Sequence, residues 1–284
     1  MNTPEPDSLD GWLALVKSHT SVSDWEAALA TVRRAEAGFP NEIALILSAA
    51  LIRGEAGDIE GAIEEWNRLL ALEPENATAI AMRGAAELHL GRIRSAESDL
   101  NRALVLKPDS LVALNARISL RLRAGDAGGA LSDMGRVLAL DPEDTELLLL
   151  RASLQIDLGD LLAAVADYAR INEITPGSAA GLSGLGNIQM LMGRPDAALL
   201  SYETALRSAP GSAAGLYNLA AAEAALGRCP QAVELLRRAV AADARFAEAA
   251  EQDRYLAKCS TYPGFADAIG KPSGKAAKKA KKGR

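Results

Sequence analysis

Residue types that ordinarily carry chemistry are few in this sequence, and their spacing does not assemble a reaction centre. His19 and His89 stand seventy residues apart on segments of helical periodicity. Neither is near a serine or cysteine arranged as a nucleophile with its base. The two cysteines, Cys229 and Cys259, follow neither a Cys-x-x-Cys nor a His-x-x-x-His pattern. They are therefore read as ordinary reduced thiols of a reducing compartment, making neither a metal site nor a disulfide framework. Carboxylates are plentiful but fall on helix faces that must be solvated. The glycines mark turns and nowhere form a phosphate-binding loop. The chain is read as a non-enzyme needing no metal and no cofactor.

Charge and apolar clusters are more informative. Lys271, Lys275, Lys278, Lys279, Lys281, Lys282 and Arg284 form a basic tail without an acid. The net charge of the whole is -6, so the rest of the chain carries -13. Such a tail attracts nucleic acid or an anionic surface by a salt-sensitive, sequence-blind force. The acidic body repels a polyanion, so nucleic-acid association is expected only through the tail and stands as an alternative reading. Leucine fills four successive places at Leu147–Leu150. A helix buries one stripe, so at least one of Leu149 and Leu150 should face outward, and with Ile156 they form a candidate partner contact. Arg83, Arg117 and Arg151 are each followed sixteen residues later by Asp99, Asp133 and Asp167. Where Ala49, Leu185 or Leu219 replaces the arginine the aspartate is missing too, as expected of structural ion pairs between facing helices.

The elements that position these residues follow from composition and repeat. With 49% hydrophobic residues but only 4% aromatics, the core must consist of Ala, Leu, Val and Ile, which suits close-packed helices. Pro40, Pro74, Pro108, Pro142, Pro176 and Pro210 recur every 34 residues, with Ala244 next in the series. Gly57, Gly91, Gly125, Gly159, Gly193 and Gly227 stand seventeen places before the last six markers, and Ala28, Ala62, Ala96, Ala130, Ala164, Ala198 and Ala232 twelve places before all seven. Between the marks, windows of about 12 to 14 residues show apolar spacing of three and four, so the unit reads helix, turn, helix, turn. Glycine permits the reversal between the two helices, proline stops the second, and alanine allows their close crossing. Ser8, Asn76, Ser110, Asp144, Ser178 and Ser212 stand where the next helix needs an N-cap.

These marks set seven units at residues 9–42, 43–76, 77–110, 111–144, 145–178, 179–212 and 213–246. Residues 1–8 are expected to be disordered. A helix over 247–259 and a short turn up to 269, with Phe265 packing back, are expected to cap the array, and 270–284 to be a mobile basic tail. No apolar run approaches the roughly 20 residues of a membrane span, and the polar amino terminus carries no secretory signal, so a cytoplasmic location is expected.

A 34-residue helix-turn-helix with this spacing resembles the tetratricopeptide repeat. Trp12-x-x-Leu15 matches the opening of the family pattern, Gly84 and Gly186 its first glycine, Trp66, Tyr168 and Tyr202 its later aromatic, and Ala35, Ala103, Ala205 and Ala239 its second alanine. The early tyrosine place departs from it, being filled by Arg53, Glu87, Arg121, Gln155, Gln189 and Glu223, and Ser23 replaces the turn glycine of the first unit. The resemblance implies an all-α, right-handed superhelical solenoid of antiparallel helix pairs whose first helices line a concave groove. It implies a scaffold or adaptor binding a partner peptide or helix there. Leu47, Leu51, Met82, Asn115, Leu122, Leu149, Leu150, Ile156, Asn187, Met190, Tyr217 and Asn218 fall at groove positions. Asn187 and Asn218 occupy the two asparagine places of a carboxylate clamp used by some members, where their amides would hold a peptide backbone. The cationic places of that clamp hold Ser183, Glu248 and Gln252, so a free carboxylate ligand is not expected. A regulatory or assembly subunit of an enzyme complex is a further alternative, and self-association through the groove is left open.

Overall fold

The computed structural model describes residues 6–271. Residues 1–5 and the cations from Lys275 onward lie outside that range; Lys271 is within it and pairs with Glu251 at 2.7 Å. Among the described residues every regular element is a helix, and the chain divides into two compact units at Pro142 and Glu143.

The first unit contains α1 (Leu9–Ser21), α2 (Trp25–Gly38), α3 (Ile43–Glu55), α4 (Ile59–Leu72), α5 (Ala77–His89), α6 (Ile93–Leu106), α7 (Leu111–Arg123) and α8 (Ala127–Leu140). Consecutive helices pack in pairs, and α1, α5 and α7 also touch across the pairs, α1 meeting α3 and α5 meeting α7. The second unit contains α9 (Thr145–Asp157), α10 (Leu161–Ile174), α11 (Ala179–Leu191), α12 (Pro195–Ser208), α13 (Ala213–Ala225), α14 (Cys229–Ala242) and α15 (Arg245–Gln252), a 3-10 turn at Leu256–Cys259 and the short α16 (Phe265–Ala268). Here α11 touches α13 in the same way.

Local chemistry makes each boundary. The side chains of Ser8, Asn76, Ser110, Asp144, Ser178 and Ser212 all accept the amide hydrogen three residues on, satisfying a donor that the first turn leaves orphaned. A second set, Asp24, Asp58, Asp126 and Asp160, does the same for α2, α4, α8 and α10. At the inner turn of the second repeat, Asp58 N–H returns to the Arg53 carbonyl at 2.8 Å, with Gly57 at φ 82°. That bond closes a left-handed helix end that a Cβ disfavours. Ser23, at the same place in the first repeat, adopts φ 56° without being glycine. The seven alanines in phase are buried, none more than 3% exposed, which leaves no room for a larger residue where the helices cross.

The arginine–aspartate series forms a ladder of two-pronged bonds. Arg83 donates Nε and Nη2 to Asp99 at 2.7 and 2.8 Å, Arg117 to Asp133 at 2.8 and 2.7 Å, and Arg151 to Asp167 at 2.8 and 2.5 Å. All three carboxylates are buried. The hydrogen bond to Asp99 raises the Arg83 pKa further, so the guanidinium stays charged. Arg83 and Arg117 also donate to Asn67 and Asn101 of the preceding repeat, at 2.7 and 2.8 Å, so the ladder ties neighbouring pairs as well. The polar residues at the family's early tyrosine place add a second series. Arg121 reaches Asp133 at 2.6 Å, Arg53 lies 3.5 Å from the buried Glu65, and Gln189 accepts from Ser201 at 2.8 Å, each spanning twelve residues.

Two expectations for the carboxyl terminus need correction. The capping helix does not run over 247–259: α15 ends at Gln252, because Asp253 takes the amide hydrogens of Tyr255 and Leu256 on its own carboxylate, at 2.7 and 3.0 Å, and starts a separate turn. The cysteines are not free thiols. Cys229 and Cys259 form a disulfide with Cα atoms 5.3 Å apart, since the returning segment lies against the start of α14. Their separation of 30 residues in sequence gave no hint of it. Phe265 does pack back, buried with Val233, Leu236, Leu256 and Ile269 in one apolar cluster.

Candidate functional site

Within the second unit, α11 and α13 bring four of the expected groove residues together. Asn187 and Met190 come from α11, one turn apart, and Tyr217 and Asn218 from α13. Behind them stands Tyr202 of α12, whose ring lies against Gly186 so closely that a Cβ there would sit 2.5 Å from it. Tyr202 donates its hydroxyl to Asn187 Oδ1 at 2.8 Å, and Asn218 Nδ2 lies 3.5 Å from the same oxygen. The Asn187 amide is thereby oriented with its oxygen inward and its nitrogen left for another acceptor.

The rest of the site comes from the terminal segment. Tyr217 stacks on Phe246 with ring centroids 4.8 Å apart and donates its hydroxyl to Asp253 Oδ2 at 3.0 Å. Tyr255 donates to the Met190 carbonyl at 3.0 Å, and the Arg254 guanidinium lies 4.6 Å from the Tyr255 ring centroid. Asn187, Tyr202, Tyr217, Asn218, Asp253 and Tyr255 are among the residues that line a concavity of about 240 Å³. Burial pushes the Tyr202 and Tyr217 hydroxyls well above the usual tyrosine range, and the Asp253 carboxylate adds to it. The Tyr202 and Tyr217 hydroxyls therefore stay protonated, and the Asp253 side chain is held between Tyr217 and the turn it caps.

The remaining expected residues fall elsewhere. Leu47 and Leu51 on α3 are exposed at 37% and 44%, and Leu51 borders a concavity of about 490 Å³ with Leu13, Val16, Lys17 and Glu55. Met82 on α5 and Leu122 on α7 are half-buried, while Asn115 is exposed. On α9, Leu150 is 44% exposed, Leu149 and Ile156 are half-buried, and Leu147 and Leu148 are core. Met190 is buried, borders the concavity and offers its carbonyl to Tyr255. Tyr202, Asp253 and Tyr255 were missed. Asp253 was legible as a helix-breaking cap at the point where the repeat phase ends, but nothing in the sequence directs Tyr255 to a carbonyl 65 residues away. No group of three or more potential metal ligands occurs among the described residues. No described helix is long and apolar enough to cross a membrane.

The family model described as tetratricopeptide repeat matches residues 47–110, 115–179 and 184–247, well over half of the chain. No curated protein matches the sequence. Among solved structures, the chain is similar to the carboxyl-terminal part of a tetratricopeptide repeat-containing protein from Cytophaga hutchinsonii (14% identity, 80% of this chain and 94% of that one, TM-score 0.68). It is also similar to pilF of Pseudomonas aeruginosa (19%, 72% and 92%, 0.57) and to YrrB, described as a repeat protein with an unusual peptide-binding site (17%, 66% and 97%, 0.55). At these identities the likeness is one of fold. With seven in-phase units, the stacked helix pairs and the family match across three stretches, this chain belongs to the tetratricopeptide repeat family.

Proposed function

We propose that the chain is a non-catalytic interaction scaffold that holds a partner peptide or helix against its first helices. One observation carries the reading: the face of α11 and α13 already accepts side chains of the short stretch between α15 and the 3-10 turn, through Tyr217 to Asp253 and Tyr255 to the Met190 carbonyl. The similarity to YrrB, a protein described as having a peptide-binding site, is consistent with that use. Apolar side chains left open on first helices, Leu47 and Leu51 in one unit and Leu150 in the other, supply the burial that such a partner needs. Binding through them tolerates salt, since little of it is ionic.

The test is capture of a partner by wild-type chain and by the combined variant Leu149→Glu, Leu150→Glu and Ile156→Glu, read by calorimetry. Loss of binding with unchanged helicity supports the reading; unchanged affinity removes α9 from the binding surface. Deleting 271–284 should leave capture intact, and loss of the partner on that deletion would favour the tail instead. The cytoplasmic placement holds only for a chain that is reduced there, because a persistent Cys229–Cys259 bond requires an oxidising compartment.

A further inference from the structure

The chain fills part of its own candidate binding face. After α15 stops at Gln252, Asp253, Arg254 and Tyr255 run along α11 and α13 before the 3-10 turn begins. The contacts are those a bound peptide would make. A side-chain carboxylate accepts from Tyr217, and a tyrosine hydroxyl donates to the carbonyl of Met190, which also takes the Gly193 amide hydrogen at 3.0 Å. Four residues beyond Tyr255, Cys259 is bonded to Cys229 at the first position of α14.

We propose that this face recognises a peptide bearing a carboxylate two residues before a tyrosine, that Asp253–Tyr255 is a resident copy of that ligand, and that the Cys229–Cys259 disulfide sets how often the face is vacated. This rests on the partner-binding reading above. With the bond intact, a detached segment stays pinned at Cys259 to the first position of the folded α14, so that only a loop of roughly 15 residues after Ala242 is free to move. Breaking the bond returns that conformational freedom to the detached form. By loop-closure entropy the vacated fraction rises on the order of a hundredfold, and the apparent affinity for a competing peptide rises with it. Burial of Leu256, Phe265 and Ile269 in the apolar cluster favours the closed form in either redox state, so the reduced chain remains mainly closed and an external ligand must compete for the face.

The redox step needs a dithiol. Cys259 is buried and Cys229 only half-buried, so the reductant's thiolate attacks the Cys229 sulfur. The S–S bond breaks, and Cys259 leaves as thiolate and takes up a proton. The second thiolate then attacks the reductant's own sulfur in the mixed disulfide, closes a cyclic disulfide and releases Cys229, which is protonated in turn. Two electrons and two protons pass to the protein.

The experiment uses the full chain in three forms: oxidised, reduced with dithiothreitol, and Cys229→Ser/Cys259→Ser. The probe is a fluorescein-labelled synthetic peptide with the sequence of residues 247–258, followed by anisotropy. Hydrogen exchange of amides 253–259 is measured without peptide. Both bond-free forms should bind about a hundredfold more tightly than the oxidised form and exchange faster by a similar factor. A peptide with alanine at the positions of Asp253 and Tyr255 should not bind. Tyr255→Phe in the oxidised chain should also quicken exchange, which keeps the test independent of the serine variant's folding. Equal affinity and equal exchange in the two redox states overturn the latch. Faster exchange without peptide binding overturns the recognition site, and binding of the alanine peptide overturns its chemistry. A partner held through α9 while this peptide fails would leave the scaffold reading standing and overturn only the present proposal.

Discussion

Replacing Arg151 by leucine should destabilise the second unit far more than replacing both members of its ion pair. Arg151 holds Asp167 by two bonds of 2.8 and 2.5 Å, and the Asp167 side chain is only 5% exposed. Removing the arginine strands a buried carboxylate, a loss of about 3–5 kcal/mol in buried pairs. The Arg151 side chain keeps 23% exposure, so water relieves part of this and the lower figure, about 3 kcal/mol, applies. Replacing both by leucine creates the arrangement the chain itself uses at Leu219 and Leu235, so the double variant should lie within about 1 kcal/mol of wild type. In urea, with a slope of about 2 kcal/mol per molar, the single variant's transition should move down by roughly 1.5 M and the double variant's hardly at all. Far-UV ellipticity is the appropriate signal, because Trp12, Trp25 and Trp66 all lie in the first unit. A single variant as stable as the double, or a double variant as weak as the single, refutes the account of the ladder.

Three other outcomes follow from the same structure. Ser23→Gly should stabilise the first repeat by about 1 kcal/mol by relieving a left-handed backbone at φ 56°, seen as a higher melting temperature; no gain means the turn carries no such cost. Gly186→Ala should cost about 1–3 kcal/mol, since the new methyl would meet the Tyr202 ring at 2.5 Å, and Gly186→Ala with Tyr202→Leu should recover part of it. Tyr217 has its folded pKa raised above the ordinary 10 by burial and then by Asp253, so its contribution is fully present below pH 10 and is lost as the pH rises beyond that value. Exchange of amides 253–259 should therefore quicken in alkali, and Tyr217→Phe should flatten that dependence.

The repeat was legible because its signals are local. A proline removes an amide donor wherever it stands, Gly57 relieves a left-handed turn within its own neighbourhood, and the caps from Ser8 to Ser212 bond three residues away. Arg83, Arg117 and Arg151 were also traceable to their aspartates, since a fixed helix-turn-helix turns a constant offset in sequence into a constant offset in space. The Asp24, Asp58, Asp126 and Asp160 caps were equally local, although they recur in only part of the array.

Where the repeat ends, no lattice remains to translate sequence distance into contact. Tyr255 meets Met190 across 65 residues, and Cys259 meets Cys229 across 30, because the chain leaves its helical phase at Asp253 and turns back over α13 and α14. Periodicity could therefore set the helices and their caps, and the family resemblance the places of Asn187 and Asn218. Whether that face stands open or is taken up by the chain's own Asp253 and Tyr255 depends on the path of an aperiodic segment, which is chosen by the burial of Leu256 and Phe265 and by which hydroxyls find acceptors. Those are long-range energies that only the folded molecule sums.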